Sequence, residues 1–118
     1  MTFDVETRDG GVAVVVPAGT VLGGPEGADL HERLQSTGMP ARVVVDLSPL
    51  TLVNSSGLGQ LVSALTTLRG LGGDLRLARV PPRVEQLFVL TRLASVFQRF
   101  PDVDAAVASF GGEADEAG

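Results

Sequence analysis

The 118-residue chain contains no cysteine, lysine, tryptophan or tyrosine. The absence of cysteine excludes disulfides, thiolate metal sites and cysteine nucleophiles. Because all nine basic residues are arginines, a Schiff base, a catalytic lysine and the lysine of a phosphate-binding P-loop are excluded too. The aromatic residues are five phenylalanines, so no aromatic hydroxyl is available for proton transfer. Few kinds of enzyme chemistry are left.

Basic charge is scarce as well. The net charge is −5 at pH 7 and the isoelectric point is near 4.6, so the chain lacks the electrostatic attraction with which proteins bind phosphate backbones. We expect no direct contact with nucleic acid. No apolar run approaches the ~20 residues of a membrane span, and the acidic residues near the start do not fit a signal peptide. With the lack of cysteine, this predicts a cytoplasmic protein.

The apolar residues predict one domain of residues 1–110 followed by a disordered acidic tail of residues 111–118. Strands are predicted at 3–8, 12–17, 42–47 and 74–80, with a short candidate at 95–97. Helices are predicted at 25–36, from about 55 to 70, from about 82 and from about 102. The first two strands form an antiparallel hairpin, whereas the helical connections require parallel pairing later. The predicted fold class is α/β, with a mixed four- to five-stranded sheet and about four helices.

The segment VVVDLSPLTLVNSSGLGQL, residues 43–61, leads from an apolar strand into a helix. Apolar residues then recur at helical spacing, at Leu58, Leu61, Val62, Leu65 and Leu68. Gln60 is predicted to face the other side. Backbone N–H groups at the start of a helix have no intrahelical partners, and the helix dipole is positive there. The start of this helix therefore favours an anion, and the paired hydroxyls of Ser55 and Ser56 lie at that point.

Two interpretations of the serine pair follow. Asn54 or Ser55 can serve as an N-cap, which is the structural interpretation. Alternatively, a phosphoryl group on one serine would add about −1.5 to −2 charges where the helix tolerates them, which suits a switch. Gly57 costs the helix about 1 kcal/mol relative to alanine. We expect this glycine to be present for a reason other than helix stability, such as open approach to the serines.

The same segment resembles the signature of STAS domains, specifically those of bacterial anti-sigma factor antagonists. In that family a strand ending in DLS is followed by DSSGLG and an apolar helix. The resemblance extends over about residues 3–110, and includes GGDLRLARVPPRVEQLF after the motif. It implies a STAS-like domain that regulates other proteins and is not an enzyme. Asn54 stands where the family has an acidic residue, and Gly19-Thr20-Val21-Leu22 replaces an acidic turn of the family.

The resemblance also implies the site. The second serine of the pair is the one phosphorylated in the family, which is Ser56 here. The partner-binding residues would be Asn54, Ser55, Ser56, Gly57 and Leu58. The partners would be an anti-sigma factor that is also a serine kinase, and a phosphatase. In the alternative, the chain is a constitutive STAS scaffold subunit of a signalling assembly or transporter complex, and Ser56 is only a helix-start residue.

Other chemistry has little support in the sequence. A Ser-His-Asp triad could use only His31, and the G-x-S-x-G motif is missing, so we expect no catalytic residues. The glycine-rich stretch GTVLGGPEG lacks a lysine and the spacing of a nucleotide-binding loop, so no cofactor is expected. Asp46 precedes Ser48-Pro49, where one carboxylate is typical of turn formation and not of a metal site.

Overall fold

The computed structural model of the protein describes residues 3–23, 29–36, 38 and 41–117. The strands of this part of the chain are β1 Phe3–Arg8, β2 Val12–Pro17, β3 Val21–Leu22, β4 Arg42–Asp46, β5 Leu52–Val53, β6 Asp74–Ala78 and β7 Arg99–Phe100. Its helices are α1 Asp29–Ser36, α2 Ser55–Gly70, α3 Pro82–Leu90 and α4 Val103–Ala117.

The main sheet has five strands in the order β1-β2-β4-β6-β7. Only the β1–β2 pair is antiparallel, and the other three pairs are parallel. The hairpin turns at Gly10 and Gly11, whose positive φ angles of 81° and 74° suit glycine. Strand β4 lies at the centre, and its three valines are fully buried because helices cover both faces of the sheet. The mixed α/β sheet and the central position of this strand are confirmed.

The two faces of the sheet have different covers. On one face, alternate residues such as Val15, Val45 and Leu77 pack with apolar side chains of α1, α2 and α3. On the other face, Val14 and Val44 pack with α4 through Val103, Ala106 and Phe110. This division follows from the two-residue period of a strand. The start of α2 therefore lies on the three-helix face, away from α4.

A charged side chain, Arg76, is buried under α4 and is 2% exposed. Its Nε atom is 3.1 Å from Oδ2 of Asp74, and one terminal nitrogen donates to Oγ of Ser109 over 2.7 Å. Its guanidinium carbon also lies 4.0 Å from the centre of the Phe110 ring. An arginine can be buried here because its charge is paired and its plane lies over an aromatic face. These contacts attach α4 to the sheet.

Some predicted elements differ from the structure. The prediction of a short strand at 95–97 is wrong, because the strand in this region is β7 at Arg99–Phe100. Phe97 packs in the core beside Phe88, and the residues of β7 pair with β6. The first part of the helix predicted at 25–36 lies outside the described residues before Asp29. The backbone of α4 stays helical through Ala117, where a disordered tail was predicted, and the alanine and glutamate residues of that segment favour helix. The division into a domain of residues 1–110 and a tail stays a prediction.

Candidate functional site

A small second sheet places the start of α2. Strands β3 and β5 pair in parallel, with Val21 opposite Leu52 and Leu22 opposite Val53. Leu22 and Val53 point into the core, whereas Val21 and Leu52 face outward. The backbone N–H of Asn54 then donates to the carbonyl of Leu22 over 3.1 Å. Because only Asn54 separates β5 from α2, this sheet fixes where the helix begins.

Asn54 is the N-cap of α2. Its backbone is extended, with φ −90° and ψ −179°, as is usual for an N-cap residue. Its side-chain Oδ1 accepts a hydrogen bond from the backbone N–H of Gly57 over 3.0 Å. The same oxygen accepts from the hydroxyl of Ser56 over 2.9 Å. The predicted capping role is confirmed for Asn54.

Ser55 and Ser56 are both exposed in the first turn of α2. That turn contains no acidic residue, so the positive end of the helix dipole is not neutralised within the helix itself. A phosphoryl ester at Ser56 Oγ would replace the O–H that donates to Asn54. The cap would keep its bond from Gly57, so the helix start can accept the modification without losing its N-cap.

Gly57 has a packing role that the sequence did not predict. It is buried, and a Cβ atom at this position would overlap the backbone carbonyl of Leu22 and crowd Val53. Glycine therefore lets α2 approach the small sheet closely, and its cost in helix propensity is offset by this contact. We expected Gly57 to open an approach to the serines, but the main role of this glycine is its packing against the small sheet. Leu58 is half-buried and packs against the core.

Gly23 belongs to the site and was missed. Its φ of +108° suits glycine, and a Cβ atom here would overlap the Asn54 side chain that caps α2. Gly23 and Asn54 are 31 positions apart in the chain, so local sequence gave no signal that they meet.

The five predicted contact residues thus meet at one helix start but differ in exposure. Ser55 and Ser56 are exposed, Asn54 and Leu58 are half-buried, and Gly57 is buried. Nearby, the predicted exposure of Gln60 is wrong. Its side chain is 7% exposed, because Oε1 accepts the backbone N–H of Leu30 over 3.2 Å, near the start of α1. A polar residue can be buried here because it satisfies a backbone donor at a helix start.

The other candidates remain separate from this site. The carboxylate of Asp46 accepts the backbone N–H of Ser48 over 2.9 Å, which is the turn predicted from its sequence. In the described part of the chain, His31 makes no hydrogen bond through its buried Nδ1 atom. Within the described residues, no group of three or more His, Asp or Glu side chains is placed to hold a metal ion. Nor does any described helix have the length and apolar character to cross a membrane.

Comparison with known proteins identifies relatives of this chain. A family model described as STAS domain matches residues 5–106. The chain is 33% identical over 69 residues to BtrV of Bordetella bronchiseptica, which is named as an anti-sigma factor antagonist. That match covers 58% of this chain and spans only 60% of the length of BtrV.

Solved structures share the fold. An anti-sigma factor antagonist from Mycobacterium paratuberculosis has a TM-score of 0.77 and 25% identity, with 92% of each chain covered. The Bacillus cell fate determinant SpoIIAA in its phosphorylated form has a TM-score of 0.68 and 15% identity. That alignment covers 92% of this chain and 99% of SpoIIAA. The likeness to SpoIIAA concerns the fold alone.

Proposed function

Since the chain belongs to the STAS domain family, we propose that it is an anti-sigma factor antagonist controlled by phosphorylation of Ser56. In its unphosphorylated form it binds an anti-sigma factor that is also a serine kinase, and a sigma factor is released. Phosphorylation of Ser56 blocks that binding, and a phosphatase restores it. The protein acts in the cytoplasm as a binding module without catalytic residues, a cofactor or direct contact with nucleic acid.

The observation that carries this proposal is the position of the Ser56 hydroxyl. It is exposed in the first turn of α2 and lies 2.9 Å from the Asn54 oxygen that caps the helix. A kinase can therefore reach the hydroxyl while the folded domain stays intact. The neighbouring chain from Asn54 to Leu58 supplies the rest of the contact surface.

Electrostatics explains how one phosphate can block docking. In the free protein, the helix dipole and water both stabilise the phosphate charge at the start of α2. In the complex, the same charge would lose water and face a partner surface shaped for a neutral hydroxyl. An unpaired charge at a desolvated interface costs several kcal/mol, so the phosphorylated form is released. The fold of the antagonist itself need not change.

The test uses the purified serine kinase with a GHKL-type ATP fold from the same organism. After incubation with this kinase and Mg-ATP, mass spectrometry should locate phosphate on Ser56. In calorimetry without ATP, the wild type, Ser56→Ala and the control Ser55→Ala should bind the kinase with similar Kd. Ser56→Asp should bind about a hundredfold more weakly. Phosphate on Ser55 alone, or no phosphate with an active kinase, would overturn the proposal.

A constitutive scaffold subunit of a signalling assembly or transporter complex is the second candidate function. The hydrogen bond from Ser56 to Asn54 favours it, because the hydroxyl already has a structural partner at the helix start. Under this alternative, Ser56→Asp would bind its partner as tightly as the wild type. The same calorimetric series therefore separates the two functions.

A further inference from the structure

A groove of about 250 Å³ lies between strand β5 and helix α3. Its lining is mainly apolar and includes Leu52, Val53, Val84, Leu87 and Leu90. Val53 and Val84 form its buried floor, while Leu52 and Leu90 stand at the surface. The groove belongs to the same three-helix face of the sheet as α2.

Large apolar side chains in the walls of the groove are exposed to solvent. Leu90 is 80% exposed and Leu52 is 49% exposed, and Leu52 lies beside the outward-facing Val21 of strand β3. Contiguous exposed apolar side chains are uncommon on soluble proteins and mark surfaces that bind other molecules. Because these side chains come from two different strands and a helix, they form one surface only in the folded domain.

The groove carries one cationic side chain. Arg83 lines the groove, and no ion pair of Arg83 occurs within the described residues. None of the described residues that line the groove is acidic. Two other exposed arginines, Arg69 and Arg99, pair with Asp74 and Glu85. A bound partner with a carboxylate near Arg83 would form a salt bridge with this arginine.

The groove is continuous with the Ser56 site. Strand β5 forms one wall, and the chain passes directly from Val53 through Asn54 into the first turn of α2. A partner that covers the exposed serines would therefore have the groove within its reach. Strand β3 pairs with one edge of β5, and helix α3 lies across the groove from the other. An amphipathic helix fits a groove with this lining, because it presents apolar side chains on one face and charged side chains at the edge of that face.

We propose that the groove receives an amphipathic helix of the anti-sigma factor kinase. Its apolar side chains fill the space between Leu52, Leu87 and Leu90, and a carboxylate on its polar edge pairs with Arg83. This inference rests on the proposed function and adds a second contact to it. Ser56 controls whether the kinase binds, and the groove supplies apolar contact area that phosphorylation does not alter.

Calorimetry with the same purified kinase tests the groove by matched pairs of variants. Leu90→Ser is compared with Val89→Ser, since Val89 is a neighbouring residue of α3, is 60% exposed and does not line the groove. Arg83→Glu is compared with Arg92→Glu, since Arg92 is also exposed and has no ion pair among the described residues. Leu90→Ser and Arg83→Glu should each raise Kd about tenfold or more, whereas the two controls should stay within about twofold. Thermal melts check that all four variants are folded.

The outcomes separate this inference from the proposed function. If the wild type does not bind the kinase, the proposed function fails and the inference fails with it. If the wild type binds and the groove variants bind equally well, the inference alone is overturned. A photo-crosslinking residue can also be placed at Gln86, which lines the groove. It should crosslink to an acidic amphipathic segment of the kinase. A crosslink to a second copy of this chain would overturn the inference, if sedimentation also showed a dimer of the wild type that Leu90→Ser does not form.

Discussion

The hydroxyl of Ser56 donates a hydrogen bond to the side-chain oxygen of Asn54, which also caps α2 through the backbone N–H of Gly57. One oxygen atom therefore serves both the stability of the helix and the orientation of the proposed phosphoacceptor. Replacements of Asn54 test these two roles, because aspartate keeps the acceptor and adds charge while alanine removes the acceptor.

Asn54→Asp should increase the rate at which the kinase phosphorylates Ser56. A carboxylate accepts the hydroxyl proton better than an amide does, and general-base assistance of this kind accelerates transfer to a hydroxyl. The added charge should also stabilise the helix start by about 0.3 to 1 kcal/mol. A time course with one kinase and both proteins measures the rate, and thermal melts measure stability. An unchanged or lower rate would mean that asparagine suits this protein's own partner.

Asn54→Ala should destabilise the domain by about 1 kcal/mol, because the N–H of Gly57 loses its cap acceptor. For a chain of this size, the melting temperature should fall by about 3 to 6 °C. Ser55→Ala is the control, since Ser55 is exposed in the same turn and is not the cap. Equal melting temperatures for the two variants would show that the capping bond contributes nothing measurable.

Two glycines of α2 should respond to alanine in opposite directions. Gly57→Ala should destabilise the domain by about 1 to 3 kcal/mol, because the new methyl group would overlap the carbonyl of Leu22. Gly59→Ala should stabilise it by about 0.5 to 1 kcal/mol, since a Cβ atom there meets open space and alanine favours helix. Urea titration measures both differences. The same sign for both variants would contradict the packing described for Gly57.

Two Asp–Arg pairs should differ strongly in their contribution to stability. Asp74 is 13% exposed and pairs with the buried Arg76, whereas Asp104 is 85% exposed and pairs with Arg8. Asp74→Asn should cost about 3 kcal/mol, because it removes a carboxylate that pairs with a buried guanidinium. Asp104→Asn should cost less than about 1 kcal/mol. Chemical denaturation tests this ranking, and similar losses would show that Arg76 does not depend on Asp74.

Much of this architecture could be predicted from the sequence. The family resemblance, the hairpin, the central strand β4 and helix α2 all carry strong periodic or motif signals, and each is confirmed. The small sheet was not predicted as a pair, because β3 and β5 have two residues each and meet only through the fold. The alternation in β6 did not reveal that Arg76 is buried, because the face it points to is covered by α4, which follows much later in the chain.

The site residues show the same limit. Asn54 as a cap follows from local chemistry, but the tight packing of Gly23 against Asn54 requires knowledge of the strand pairing. Gln60 lies at the edge of the apolar stripe of α2. It is buried because α1 begins beside it, and the sequence of α2 alone does not show this contact. Phosphorylation of Ser56 and the contact roles of the residues around it stay predictions.

The small β3–β5 sheet has a consequence for local opening of the chain. It is two residues long on each side and is joined by few backbone hydrogen bonds, such as those from Thr51 to Thr20 and from Asn54 to Leu22. Units of this size open with lower free energy than long central strands. The amide hydrogen of Asn54 should therefore exchange with solvent well before those of β4. The proposed phosphoacceptor thus follows a short sheet that can open locally while the five-stranded sheet remains closed.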